Sequence, residues 1–155
     1  MQKLLITFGT RPLAQRLSKL LQNKFEILFA TSEDVPSFLS LNYAKIPTGV
    51  NPTYAHELLK LSLDRQIDYV LPLGQTEIGS IVEAKILFEE YGIQLLCPEK
   101  AMFQQVFVLE NPNSSIELTL LLNGRSLNGE MDFKESVSGL FAISDRGDEI
   151  ALCTI

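Results

Sequence analysis

The order of apolar patterns along the chain predicts an α/β fold: a doubly wound parallel sheet followed by a C-terminal antiparallel β extension. Three observations point there. Short apolar runs alternate with leucines and isoleucines at helical spacing over residues 1–97. The alternation stops near Pro98, and beyond it strand-like runs are separated by turn signals. The 155 residues are 46% hydrophobic and 21% charged, with a mean hydropathy of +0.14. That is enough apolar side chain to fill one ordinary core, and too little charge for a disordered chain.

Leu4-Leu5-Ile6-Thr7-Phe8 is a continuous apolar run closed by Gly9, as expected of a strand buried on both faces. Arg11-Pro12 follows, and then Leu13, Leu17, Leu20 and Leu21 fall on one helical face. Phe25 to Ala30 reads as the second strand, Ser32 to Leu41 as one or two helical turns, and Ala44-Lys45-Ile46 as a short extended piece ended by Pro47. Asn51-Pro52 predicts a helix start, a capping side chain before proline in the first turn. Ala55, Leu58, Leu59 and Ser62 supply its inward face.

Tyr69 to Leu73 is the next strand. Thr76 is then expected to cap a helix whose Ile78, Ile81, Val82 and Ile86 face inward, with Gly92 as its left-handed stop. Ile93 to Cys97 completes the parallel series. In the tail, strands are expected at 106–109, 116–122, 137–144 and 149–154. Asn123-Gly124, Asn128-Gly129 and Asp145 to Asp148 mark the turns between them. Residues 1–100 therefore read as the α/β unit and 101–155 as the antiparallel extension packed on or beside it.

Charge excludes some functions. The net charge is −6, of which residues 1–100 carry −1 and residues 101–155 carry −5. Nucleic-acid binding is not expected, because no basic stripe exists to displace counterions from phosphates. The cysteines, Cys97 and Cys153, and the single His56 are too few for a zinc site built of Cys and His. No apolar run is long enough to span a membrane, and the N-terminal apolar stretch is too short for a signal peptide. We expect a cytoplasmic protein with reduced thiols and no cofactor.

In an open parallel sheet, the loops at the carboxyl ends of the strands form a crevice where strand order reverses. The usual winding sets Gly9-Thr10-Arg11-Pro12 opposite Gly74-Gln75-Thr76-Glu77. Arg11, just before Pro12, is expected to cap the first helix, where the dipole is unfavourable to a cation until an anion arrives. Gly9, Thr10, Arg11, Gly74, Gln75, Thr76 and Glu77 are therefore the candidate ligand-binding residues, for a small phosphate or carboxylate. A tight turn at Gly9, with Arg11 reaching solvent or Glu77, accounts for the first loop equally. Helix capping accounts for Thr76 and Glu77. No catalytic residue or metal ligand is assigned: His56 lacks a partner, and Cys97 reads as a small buried side chain. Gly9 stands alone, which excludes the standard dinucleotide fingerprint.

The first hundred residues resemble the pre-ATP-grasp domain, the Rossmann-like N-terminal domain of ATP-grasp ligases such as the carbamoyl-phosphate synthase large chain. The resemblance lies in ordered features: Leu4–Phe8 with Gly9; Asn42-Tyr43-Ala44-Lys45-Ile46-Pro47; Asn51-Pro52-Thr53-Tyr54; Ile67 to Leu73; Glu77; and Tyr91-Gly92-Ile93. It implies a Rossmann-like fold and a ligand crevice. It does not confer ligase activity, because about 55 residues follow Pro98, too few for an ATP-grasp catalytic domain by ordinary domain sizes. Separately, Phe8-Gly9-Thr10-Arg11-Pro12 looks like the opening of the UDP-N-acetylglucosamine 2-epimerases, though Leu13 stands where a glutamate is usual.

The expected function is a stand-alone, non-catalytic pre-ATP-grasp-like module that binds a small anion or a protein partner. Two alternatives remain. One is a subunit of a split ATP-grasp ligase, completed in trans by an ATP-grasp partner chain. The other is a structural homodimer formed through the C-terminal β segment, whose exposed edges invite pairing.

Overall fold

A computed structural model describes residues 1–129 and 131–155 of the chain. Its first sheet is wholly parallel, in the order β3-β2-β1-β4-β5. These strands are β1 (Gln2–Ile6), β2 (Phe25–Thr31), β3 (Tyr43–Lys45), β4 (Tyr69–Leu71) and β5 (Gln94–Leu95). Strand order reverses at β1, which pairs with β2 on one side and β4 on the other. Successive side chains of a strand point to opposite faces, and here both faces are apolar. Leu5, Val70 and Leu95 join one buried cluster, and Leu4, Ile6 and Leu71 join the other.

Helices cover both faces. Leu13, Ala14, Leu17 and Leu21 of α1 (Pro12–Leu21) pack on Leu4 and Ile6. Against Leu5 and Val70 lie Tyr54 and Leu58 of α2 (Tyr54–Asp64), Ile78 and Ile81 of α3 (Gln75–Ile81), and Phe88 of α4 (Lys85–Glu90). The α/β expectation and the parallel sheet are thus observed.

A four-residue helix, α5 (Lys100–Phe103), leads into a second sheet ordered β6-β10-β9-β7-β8. Its strands are β6 (Phe107–Glu110), β7 (Thr119–Leu122), β8 (Arg125–Ser126), β9 (Gly139–Ile143) and β10 (Ile150–Thr154). The extension was expected to be antiparallel. It is mixed, because β10 runs parallel to β6 while pairing antiparallel with β9. The long 111–149 connection, which contains the β7–β9 meander, is what lets the chain return in the same direction. β10 is an interior strand of this sheet, so its free edges are β6 and β8. Both clusters draw on the second sheet: Leu121, Phe141 and Leu152 enter one, and Leu120, Leu140 and Cys153 the other.

Three local expectations are corrected. Helix α2 begins at Tyr54 rather than at Asn51-Pro52, because the Asn51 side chain accepts bonds from the Thr53 amide and hydroxyl and holds a turn outside the helix. The single helix expected after Thr76 is two, joined by a tighter 3₁₀ turn at Val82–Ala84. That turn shifts the helical phase, so Ile86 is 71% exposed while Phe88 is buried. The cap of α3 is Gly74, not Thr76. Elsewhere the turn residues act as anticipated. Asn123 and Gly124 both take positive φ in the β7–β8 hairpin, as a two-residue connection requires.

Candidate functional site

The carboxyl ends of β1 and β4 open onto a cleft of about 390 Å³. Arg11, Gly74, Gln75, Thr76 and Glu77 line it, together with Phe8, Thr48, Gly49, Val50 and Ile155. Two loops more than sixty positions apart therefore share one notch, because β1 and β4 are neighbours in the parallel sheet.

Gly9 and Thr10 are not part of that lining. Gly9 donates its amide to Ala30 and lies against the Phe29 ring, where any side chain would collide. The Thr10 hydroxyl donates to Glu33 at 3.0 Å, on the β2 side of the turn. Arg11 caps α1 in extended conformation with Pro12 in the first turn, as anticipated. Its guanidinium lies 3.6 Å from Glu33, not on Glu77, and both side chains are about half exposed. Such a pair contributes little and exchanges readily for a better partner.

Phe8, which the sequence marks as the end of a strand run and not as a site residue, also lines the notch. Its φ of +51° is left-handed, which is unusual for a bulky side chain. The turn is held by the Arg11 amide donating to the Phe8 carbonyl at 2.9 Å. This conformation turns the Phe8 ring across the notch and over Gly74, where a Cβ would meet it. The Arg11 guanidinium sits above the same ring, 5.8 Å from its centre. Gly74 thus serves the approach of Phe8. Gly49 likewise lies tight on the first turn of α3, where a Cβ would come 2.7 Å from the Glu77 amide nitrogen. Ser80 donates its hydroxyl to the Gly49 carbonyl and fixes that loop.

Glu77 forms the floor and is only 4% exposed. The Thr7 hydroxyl donates to its carboxyl at 2.5 Å, and the Gly74 amide does so at 3.3 Å. Thr7 in turn accepts the Leu73 amide at 2.8 Å, so one buried network ties β1, the β4–α3 turn and α3 together. Burial raises the Glu77 carboxyl above the usual carboxylate range, while the bonds from Thr7 and Gly74 act the other way. The fully buried Tyr54 hydroxyl faces this carboxyl, and burial and then the Glu77 charge push its pKa upward. Among the described residues it meets no partner in good hydrogen-bond geometry, so the two groups act on each other through charge.

Other titratable groups lie outside this notch. His56 is exposed on α2. Cys97 is buried, and burial pushes its thiol up to about 11, away from nucleophilic chemistry at neutral pH. Among the described residues, no group of three or more His, Cys, Asp or Glu could hold a metal ion. No helix among them is long and apolar enough to cross a membrane. A larger groove of about 730 Å³ runs between α1 and residues 117–118, lined by Gln15, Arg16, Lys19 and Leu20. Arg16 is engaged there, donating to the carbonyls of Asn113 and Ile116. No sequence signal marked that groove, because its two walls are about a hundred residues apart.

No protein-family model matches the chain, and no curated protein matches it.

Proposed function

We propose that this chain is a binding module, Rossmann-like and similar to a pre-ATP-grasp domain, that holds a small anionic ligand in the β1/β4 cleft. The observation that carries this reading is the placement of Arg11 in the lining of a cleft whose other polar side chains are Thr48, Gln75, Thr76 and the buried Glu77. Arg11 caps α1 with no side-chain hydrogen bond to the helix, and its guanidinium is held by an exposed ion pair to Glu33 and by the face of the Phe8 ring. An anion in the cleft would gain the guanidinium and the positive end of α1 together. The position at the reversal of strand order supports the reading, since open α/β sheets bind ligands there. The resemblance of residues 1–100 to the pre-ATP-grasp domain supports it as well.

The test is thermal unfolding with inorganic phosphate and with small carboxylates. The reading expects at least one of them to raise the melting temperature of the wild-type chain and to leave that of Arg11→Ala unchanged. Equal stabilisation of both proteins, or of neither by any compound, would contradict it.

A further inference from the structure

We infer that the ligand of this cleft is a planar aromatic carboxylate, its ring laid against Phe8 and its carboxylate held by Arg11. The inference rests on the anion-binding reading above and goes beyond it to the chemical class. Phe8 is half-buried and, with Val50 and Ile155, gives the notch its apolar lining; among the described residues Arg11 is the cation that lines it. A left-handed backbone aims the Phe8 ring, Gly74 receives its edge, and the Arg11 guanidinium rests above its face. A bulky residue in left-handed conformation costs free energy, and such strain persists where the surrounding structure over-determines it. Here it places a fixed aromatic plate across a cleft.

A preorganised plate loses little entropy on binding and favours a partner with matching π geometry. A guanidinium suits a carboxylate, whose two oxygens it can meet in one plane. Because Arg11 is already poised over the Phe8 ring, it can meet a carboxylate while the attached ring packs against Phe8, edge-on or offset. The exposed Thr76 and the Gln75 side chain, which now donates to Glu110 at 2.6 Å, offer polar contacts along the edge of such a ring. The cleft volume of about 390 Å³ accommodates a single substituted ring.

The test compares benzoate with cyclohexanecarboxylate, titrated into the unmodified chain and followed by nuclear magnetic resonance, with inorganic phosphate as a third arm. The two carboxylates share charge and size, but the saturated ring is the more hydrophobic, so a merely greasy wall would favour it. The inference expects benzoate to bind about three- to tenfold tighter than cyclohexanecarboxylate. It expects Phe8→Leu to erase that preference while both carboxylates still bind. Equal binding, or tighter binding of the saturated ring, overturns the aromatic assignment and leaves the anion reading in place. Binding of phosphate alone does the same. If none of the three binds, the anion reading falls, and this inference falls with it. The ligand comparison is made on the natural chain, so it decides the matter even if Phe8→Leu fails to fold.

Discussion

At the scale of single residues, Glu77 has the clearest consequence for behaviour. It is buried without a cation partner among the described residues and is held by Thr7 and Gly74. Unfolded, its carboxyl has the ordinary glutamate pKa; folded, burial raises it. The folded chain therefore holds the proton more tightly. That contribution to stability is complete below the unfolded pKa and is lost as pH rises through the folded one. Within that window the slope is about 1.4 kcal/mol per pH unit. Glu77→Gln keeps an acceptor for Thr7 and Gly74 but cannot titrate. Denaturant unfolding from about pH 4 to about pH 8 should show the wild type losing stability relative to Glu77→Gln as pH rises. A difference that stays constant across the range would mean that Glu77 titrates as an ordinary surface acid. The sequence marked Glu77 as a candidate ligand-binding residue and as an acid near a helix start, but not as a buried one. Its burial depends on Thr7, seventy positions away, and on Tyr54, and no local pattern encodes either. Phe8 was hidden for a similar reason: nothing in an apolar strand run marks the residue that will turn left-handed.

At the scale of elements, the chain was largely legible. Continuous apolar runs became the strands β1, β2 and β4, and the leucine spacing of 13–21 became α1, because each pattern has only one regular way to be buried. What could not be read was where helical phase is broken. The residues from Val82 to Ala84 are compatible with a continuous helix, and only packing selects the tighter turn. The direction of β10 was also beyond local pattern, since parallel and antiparallel pairings present the same side chains. The end of α2 offers a quantitative check. Gln66 has a φ of +56°, its amide donates to Leu63, and the Ile67 amide donates to Ser62 at 2.8 Å. This is the helix stop that glycine favours, occupied by an exposed glutamine. Gln66→Gly relieves a left-handed strain of about 1–2 kcal/mol and costs about 0.5–1 kcal/mol in chain entropy. The variant should unfold at a higher denaturant midpoint, by roughly 0.5–1 kcal/mol of stability. A lower midpoint would show that this turn is not under strain.

At the scale of the whole molecule, the two sheets are not separable by their cores. Each apolar cluster contains side chains from both, and Arg16 of α1 clasps the carbonyls of Asn113 and Ile116 that lead into β7. The Ile155 amide donates to the Leu73 carbonyl at 2.9 Å, which brings the residue just after β10 to the cleft beside Gly74. The second sheet thus supplies part of the wall of a notch that topology had located from the first sheet alone. The place of the cleft was legible because strand order in a parallel sheet follows from its connections. Its lining was not, since Thr48, Val50 and Ile155 arrive from segments whose packing no motif announces. A map of backbone amide shifts during titration with benzoate tests the proposed binding at this notch. The changes should centre on Phe8, Arg11, residues 48–50 and residues 74–77. Changes centred instead on the α1 groove at Gln15, Lys19 and Glu117, or spread over the surface without a focus, would contradict that binding.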